Sequence, residues 1–128
     1  MNERLFFSSL LVAIIYLFNL WLFNIELSFT IIVTFFGIIT SLLNHGFKSY
    51  IFKCLDRITI TLIFFIYLYN ISLFADKYIQ KILVCLLIMS PFLYFISKIP
   101  NDKNMCILFH QYGHIQSLIF LSAYNIIC

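Results

Sequence analysis

The sequence predicts an all-α protein, a polytopic transmembrane helical bundle with about five spans. Of its 128 residues, 63% are apolar and only 10% are charged. The charged residues leave five charge-free windows of 21, 21, 18, 16 and 25 residues, close to the roughly 20 residues that cross a bilayer core. Three Gly and two Pro provide little turn chemistry for an all-β domain. A water-soluble globule, a disulfide scaffold, a disordered tail and a nucleic-acid-binding domain are therefore excluded.

The predicted spans are, in order, residues 5–24, 27–46, 56–75, 79–97 and 104–126. The apolar run of the first span is longer than a signal-peptide core of about 7–15 residues, so we expect it to be retained. Pro91 lies inside the fourth span, where it is tolerated and should kink the helix. Pro100 begins the break before the fifth span. Because no repeat or linker divides the chain, residues 1–128 are predicted to form a single integral membrane domain.

The basic residues predict the orientation of the bundle, because cytoplasmic connections are enriched in Lys and Arg. If the N-terminus is cytoplasmic, the inner side carries six basic residues and the outer side two. The inner set is Arg4, Lys48, Lys53, Arg57, Lys98 and Lys103, and the outer set is Lys77 and Lys81. We therefore expect a multi-pass protein with a cytoplasmic N-terminus.

Two histidines on the fifth span are the first candidates for chemistry. His110 and His114 are four residues apart, so they lie on one face of a helix, one turn from each other. Such a pair is a common half of a metal site. The same pair could instead form hydrogen bonds to neighbouring helices. On spacing alone, both interpretations are open.

Three further polar residues are predicted to lie at the same depth as this pair. Ser41 and His45 repeat the four-residue spacing at the end of the second span, and Asp56 stands at the start of the third. If successive spans alternate in direction, the second span ends on the side where the third and fifth begin. Ionisable groups in a membrane are costly and usually functional. The shared depth therefore favours a site built from three helices.

Three imidazoles with an open fourth position are the ligand set of a catalytic zinc ion, which activates a bound water. His45, His110 and His114 are accordingly predicted to bind Zn²⁺. Asp56 could orient or deprotonate the water, and Ser41 could hold it or donate to a developing oxyanion.

Each residue also has a structural alternative. His45 could be interfacial, Asp56 a helix N-cap and Ser41 hydrogen-bonded to its own helix. Cys106 is either a fourth ligand or a packed thiol.

The motif Ser41-x-x-x-His45, then Asp56 preceded by Leu, then His110-x-x-x-His114 resembles that of the CREST superfamily of membrane hydrolases. This superfamily includes the alkaline ceramidases, the adiponectin and progestin receptors and the lipases that remodel GPI anchors. The gap of eleven residues between His45 and Asp56 is most similar to the ceramidase and GPI-remodelling branches. The resemblance implies a helical bundle with zinc held by the three histidines. It also implies that Ser41 and Asp56 act on a zinc-bound water that attacks a lipid amide or ester.

The chain has two predicted spans fewer than the seven of that superfamily. Removing two spans leaves the last helix running in the same direction, so the site can still close, and a homodimer is one way to supply the missing walls. We expect a zinc-dependent amidase of ceramide-like lipids. The alternatives are an ester-cleaving phospholipase, a non-catalytic protein with a structural metal, and a small transporter that uses the ionisable groups as a proton relay.

Overall fold

The computed structural model describes residues 2–127, and the only regular secondary structure in that range is α-helical. Its helices are α1 (Glu3–Leu22), α2 (Phe29–Gly46), α3 (Tyr50–Ser72), α4 (Lys77–Ile96) and α5 (Lys103–Ile127). Each predicted span corresponds to one of these helices. The predicted all-α bundle is therefore confirmed.

The five helices are arranged as a closed ring. Each helix packs against its neighbours in sequence, and α1 also packs against α5, whereas α2 and α5 are not in contact along their backbones. Because the direction alternates along an odd number of helices, α1 and α5 run parallel. Contacts near both ends of this pair show it: Gln111 donates to the carbonyl oxygen of Arg4, and Asn19 donates to Ser122. The five helices thus enclose an interior, and their other faces form the outer surface of the bundle.

Polar side chains cap several of the helices and fix where they begin. The Asn2 side chain accepts a hydrogen bond from the backbone N–H of Leu5 at 3.2 Å, and Ser28 accepts one from Ile31. Asp76 accepts bonds from the N–H groups of two residues of α4. Side chains of this type satisfy the free N–H groups of the first helical turn. The short connections between spans therefore also act as helix start signals.

The start of α3 differs from the sequence-based prediction. The predicted span began at residue 56, but α3 begins at Tyr50, and Asp56 lies inside the helix. Charge-free windows detect the part of a helix that faces hydrocarbon, whereas a helix can continue past Lys53 because a lysine stem extends along an apolar surface with its ammonium group in water. The interpretation of Asp56 as a helix N-cap is therefore wrong.

Three of the helices are long and apolar enough to cross a membrane, namely α1, α2 and α4. Helices α3 and α5 carry more polar residues, and several of those lie in the interior of the ring. The prediction of a membrane protein is thus supported by three helices, and the crossing of all five remains a proposal. Pro91 lies within α4, as predicted.

The two ends of the ring differ in their interior. The core end is the half in which a cluster of buried residues packs together, and it lies beside the α1–α2 and α3–α4 connections. Its members are Tyr16, Tyr67, Ile71, Leu83, Leu87, Phe120 and Leu121. The histidine end is the opposite half, where α1, α3 and α5 begin and where α2 and α4 end.

Candidate metal centre

Three histidines converge in the interior of the histidine end. One potential ligand atom from each of His45, His110 and His114 lies within 4.8 Å of the corresponding atoms of the other two. The centroid of the His45 ring is 5.1 Å from that of His110 and 5.2 Å from that of His114. His110 and His114 are 4.9 Å apart by the same measure. The structure therefore brings together all three histidines that the sequence analysis selected.

Helix geometry explains how the three side chains meet. His45 lies in the last turn of α2, whereas His110 and His114 lie one turn apart on α5. Since α2 and α5 are not neighbours in the ring, these imidazoles reach across its interior. Helix α5 packs against α4 at Gly113, where an added Cβ atom would be in ordinary van der Waals contact, 3.6 Å from the carbonyl oxygen of Ser90. The close packing of α5 against α4 fixes the orientation of the α5 face that carries His110 and His114.

The residues present fit a zinc ion. His45 is 7% exposed, and its Nε2 atom is buried without a hydrogen-bond partner. A buried nitrogen with no partner is costly unless a ligand satisfies it. Zinc binds histidine nitrogen at about 2.0–2.1 Å in tetrahedral geometry, which places the donors about 3.3 Å apart. Small rotations of the three rings from their present separation would close the site.

Asp56 lies at the same end of the bundle, but it is not part of the group of converging donors. Its side chain is 6% exposed, and its Oδ2 atom accepts a hydrogen bond from Asn44 Nδ2 at 2.6 Å. The other oxygen, Oδ1, is buried without a partner. Asn44 directly precedes His45, so the bond ties the carboxylate to the helix that supplies a histidine. The carboxylate thus retains an oxygen that can accept a proton.

Ser41 contacts Ser9 of α1 instead of a histidine. Their hydroxyl oxygens are 3.4 Å apart, and Ser9 is buried. The shared depth predicted from the sequence does not place Ser41 among the converging donors. Its hydroxyl instead lies at the α1–α2 interface of the histidine end.

Cys106 is not a metal ligand in this arrangement. Its Sγ atom donates to the carbonyl oxygen of Pro100 at 3.1 Å, and the group of converging donors does not include it. The alternative of a fourth ligand is therefore wrong. Cys54, Cys85 and Cys106 are free thiols, and Cys128 lies outside the described residues.

Sequence reasoning missed Ser8, which makes the shortest polar contact to any of the three histidines. Its Oγ atom is 2.6 Å from Nδ1 of His114. The available signal was the Ser8–Ser9 pair, which interrupts the apolar start of the first span at the depth of the histidines. Asn44 was missed as well, although it lies between Ser41 and His45 in sequence. Ser8 contacts the site through His114, and Asn44 contacts it through Asp56.

Tyr94 of α4 lies against His110, and the exposed Lys98, which follows the end of α4, lies over the Tyr94 ring. The Tyr94 ring centroid is 5.2 Å from that of His110. The Lys98 ammonium lies 4.7 Å from the Tyr94 centroid, within the range of a cation–π interaction. Helix α4 therefore packs against the site without supplying a ligand atom.

Comparison of the chain with protein-family models, with curated proteins and with solved structures gives no match. The geometry of the histidine end is therefore the evidence that bears on function.

Proposed function

We propose that this protein is a zinc-dependent hydrolase of membrane lipids that cleaves the amide of a ceramide-like substrate. The observation that carries the proposal is the convergence of His45, His110 and His114, with donor atoms within 4.8 Å of one another. Buried neutral imidazoles inside an apolar bundle are expensive unless they serve a ligand. Three histidines that leave a fourth position open are typical of catalytic zinc sites.

Three polar residues at this end, Asp56, Asn44 and Ser41, have roles in this proposal. Zinc, when bound, lowers the pKa of a coordinated water to about 7 and polarises a carbonyl group. The unpartnered Oδ1 atom of Asp56 accepts the proton of the attacking water and returns it to the leaving amine. Asn44 holds the carboxylate through Oδ2. The Ser41 hydroxyl donates to the carbonyl oxygen as negative charge develops there.

A lipid substrate fits the surface of the bundle. Large apolar side chains are exposed on every helix, among them Phe7, Phe36, Phe65, Phe95 and Ile119. Exposed apolar area of this extent is typical of a surface in contact with lipid tails or a partner. A substrate that reaches an interior site of such a bundle is therefore a membrane lipid. An ester of a phospholipid could be cleaved by the same residues, so turnover assays must include both bond types.

The test combines zinc analysis with lipid turnover by purified protein in lipid nanodiscs. We expect about one zinc per chain and release of fatty acid and sphingoid base from ceramide. Asp56→Asn should retain zinc and lose at least about 100-fold in turnover, because general acid–base catalysis contributes roughly 10²–10⁴-fold. Asp76→Asn is the matched control, since Asp76 caps α4 at the core end and Asn is an equally good cap.

The outcomes separate the possibilities. Well-folded protein without zinc would exclude the hydrolase. Cleavage of phosphatidylcholine but not of ceramide would correct the substrate to an ester.

A structural metal is a second candidate, and a specific observation favours it. Helices α2 and α5 lack backbone contact, so a metal held by His45 and His110 would join two elements that packing leaves apart. In this case removal of zinc should lower the unfolding midpoint, and neither lipid should be turned over in the presence of zinc.

We also propose that all five helices cross the membrane, with the N-terminus in the cytoplasm. Six of the eight basic residues lie at the histidine end, which would then face the cytoplasm. Single cysteines introduced at Lys48 and Lys77, in a background without the native cysteines, should differ in labelling by an impermeant maleimide. In intact cells, the cysteine at position 48 should be protected from the maleimide, whereas the cysteine at position 77 should be labelled. The reverse pattern would invert the topology.

A further inference from the structure

We propose that Ser8 is a positioning residue that selects the tautomer of His114 and thereby makes Nε2 of His114 the metal-binding atom. The inference rests on the proposed metal site and adds α1 to the helices that build it. The contact that carries it is the 2.6 Å separation between Ser8 Oγ and His114 Nδ1.

The direction of this hydrogen bond follows from a second contact of the same hydroxyl. Ser8 Oγ also lies 3.0 Å from the carbonyl oxygen of Leu5 and donates its proton to it. A serine hydroxyl carries one proton and two acceptor lone pairs. With the proton directed to Leu5, Oγ accepts from His114, so the ring proton resides on Nδ1.

A neutral imidazole protonated on Nδ1 has its lone pair on Nε2. The His114 nitrogen that remains available to an ion is therefore Nε2, because Nδ1 is engaged by Ser8. This resembles the usual arrangement in metalloproteins, where a ligating histidine donates its other N–H to an outer acceptor that fixes the ring orientation and the tautomer. The acceptor here is a hydroxyl, held in turn by its own helix.

An ordinary hydrogen bond between helices is the alternative role for Ser8. Such a bond stabilises the packing of two helices and has no need of a particular tautomer. A role in stability alone would leave the metal affinity of the folded protein unchanged. Only the positioning role therefore predicts a particular tautomer of His114 and a loss of metal affinity when Ser8 is replaced.

The first measurement is nitrogen NMR of metal-free protein with ¹⁵N-labelled histidine, in which the His114 signals are identified by their loss in His114→Gln. We expect Nδ1 of His114 to carry the proton in the wild type. Ser8→Ala should shift the proton toward Nε2, the site that an unconstrained neutral imidazole favours. Ser9→Ala is the matched control, because Ser9 is also buried on α1 but contacts Ser41. A wild-type proton on Nε2 would overturn the inference.

The second measurement is zinc affinity by competition with a chelator. Ser8→Ala should bind zinc about 10–100-fold more weakly, the usual cost of losing an outer-shell partner. Ser8→Thr should restore most of the affinity, since it retains the hydroxyl, and Ser9→Ala should not change it. Unchanged affinity in Ser8→Ala would refute the positioning role while leaving the metal site intact. A wild-type protein with the expected tautomer but no zinc would instead refute the proposed function, and the positioning role with it.

Discussion

The core end and the histidine end are built from the same five helices, but they treat buried polar groups differently. At the core end, Thr34 and Tyr67 share a hydrogen bond of 2.9 Å, and Asn70 donates to Thr30 at 3.0 Å. At the histidine end, His45 Nε2 and Asp56 Oδ1 are buried without a partner. One half of the interior is thus largely closed by its own side chains, and the other presents a free nitrogen and a free carboxylate oxygen.

The core end also contains two buried atoms without a close partner, Tyr16 Oη and Asn125 Nδ2. These two side chains interact with each other, so a small movement pairs them. The unpartnered atoms of the histidine end, His45 Nε2 and Asp56 Oδ1, belong instead to groups that can bind a ligand. An unsatisfied polar group costs about 1–3 kcal/mol. The histidine end therefore loses some stability but retains an arrangement that suits a ligand.

The largest expected effect is the loss of metal from the histidine end. His110→Ala removes one of three donors, so zinc affinity should fall by more than about 100-fold, beyond the usual cost of losing an outer-shell partner. Elemental analysis after gel filtration and chelator competition would measure it. Tyr112→Phe is the control, because Tyr112 lies nearby on α5 and is 48% exposed. Full zinc occupancy in His110→Ala would show that the histidine end is not a metal site.

A cavity at the core end should affect stability without affecting the metal. Leu83 is fully buried, and Leu→Ala at such a position leaves a void that costs about 2–5 kcal/mol in water-soluble proteins. Because lipid is as apolar as leucine, we expect about 2 kcal/mol, measured by reversible unfolding with SDS in mixed micelles. Leu62→Ala should cost far less, since Leu62 is 55% exposed. A parallel loss of zinc affinity in Leu83→Ala would mean that the two ends are not independent.

Removing one internal hydroxyl group of the core end should have a smaller effect. Thr34→Val keeps the shape of the side chain but removes its bonds to Tyr67 and to the carbonyl oxygen of Thr30. The bond between helices should account for about 0.6 kcal/mol of the lost stability, the average for such bonds in membrane proteins. Thr61→Val is the matched control, because it removes only a bond within α3, from Thr61 to the carbonyl oxygen of Arg57. If both variants lose the same stability, the bond between helices contributes nothing of its own.

The smallest effect is expected at Gly113, which lies between the two histidines of α5. A Cβ atom there would be in ordinary contact with Ser90 and Leu93, and the helix propensity of Ala exceeds that of Gly by up to about 1 kcal/mol. Because the added Cβ fits without displacing a neighbour, Gly113→Ala should leave stability unchanged or raise it by about 0.5 kcal/mol at most, and zinc affinity should be unaltered. At Gly37 the added Cβ would clash with Cδ1 of Ile63, so Gly37→Ala should be the less stable variant. The opposite order would show that α4–α5 packing is the tighter contact.

The features that the sequence predicted are local ones. Helix number follows from charge-free windows, and the adjacency of His110 and His114 follows from their spacing of one turn. The meeting of His45 with this pair was predicted by depth alone. Depth does not predict which neighbouring helix a side chain faces. The contact of Ser41 with Ser9 instead of a histidine could therefore not be predicted.

The contact of Ser8 with His114 could not be predicted from local pattern. It joins residues separated by 106 positions and depends on the parallel packing of α1 against α5. The start of α3 at Tyr50 was missed for another reason. The charged residues end the apolar window, but the helix itself continues past Asp56 and Lys53 to Tyr50.

That parallel pair also has a consequence for the order of assembly. During synthesis α1 to α4 can pack in sequence, but the ring closes only when α5 packs beside α1. The entropic cost of closing a chain segment grows only slowly with its length, so the contacts between α1 and α5 can offset it. Because His110 and His114 lie on the closing helix, the histidine end is completed last. Metal binding would therefore report that α1 and α5 have met.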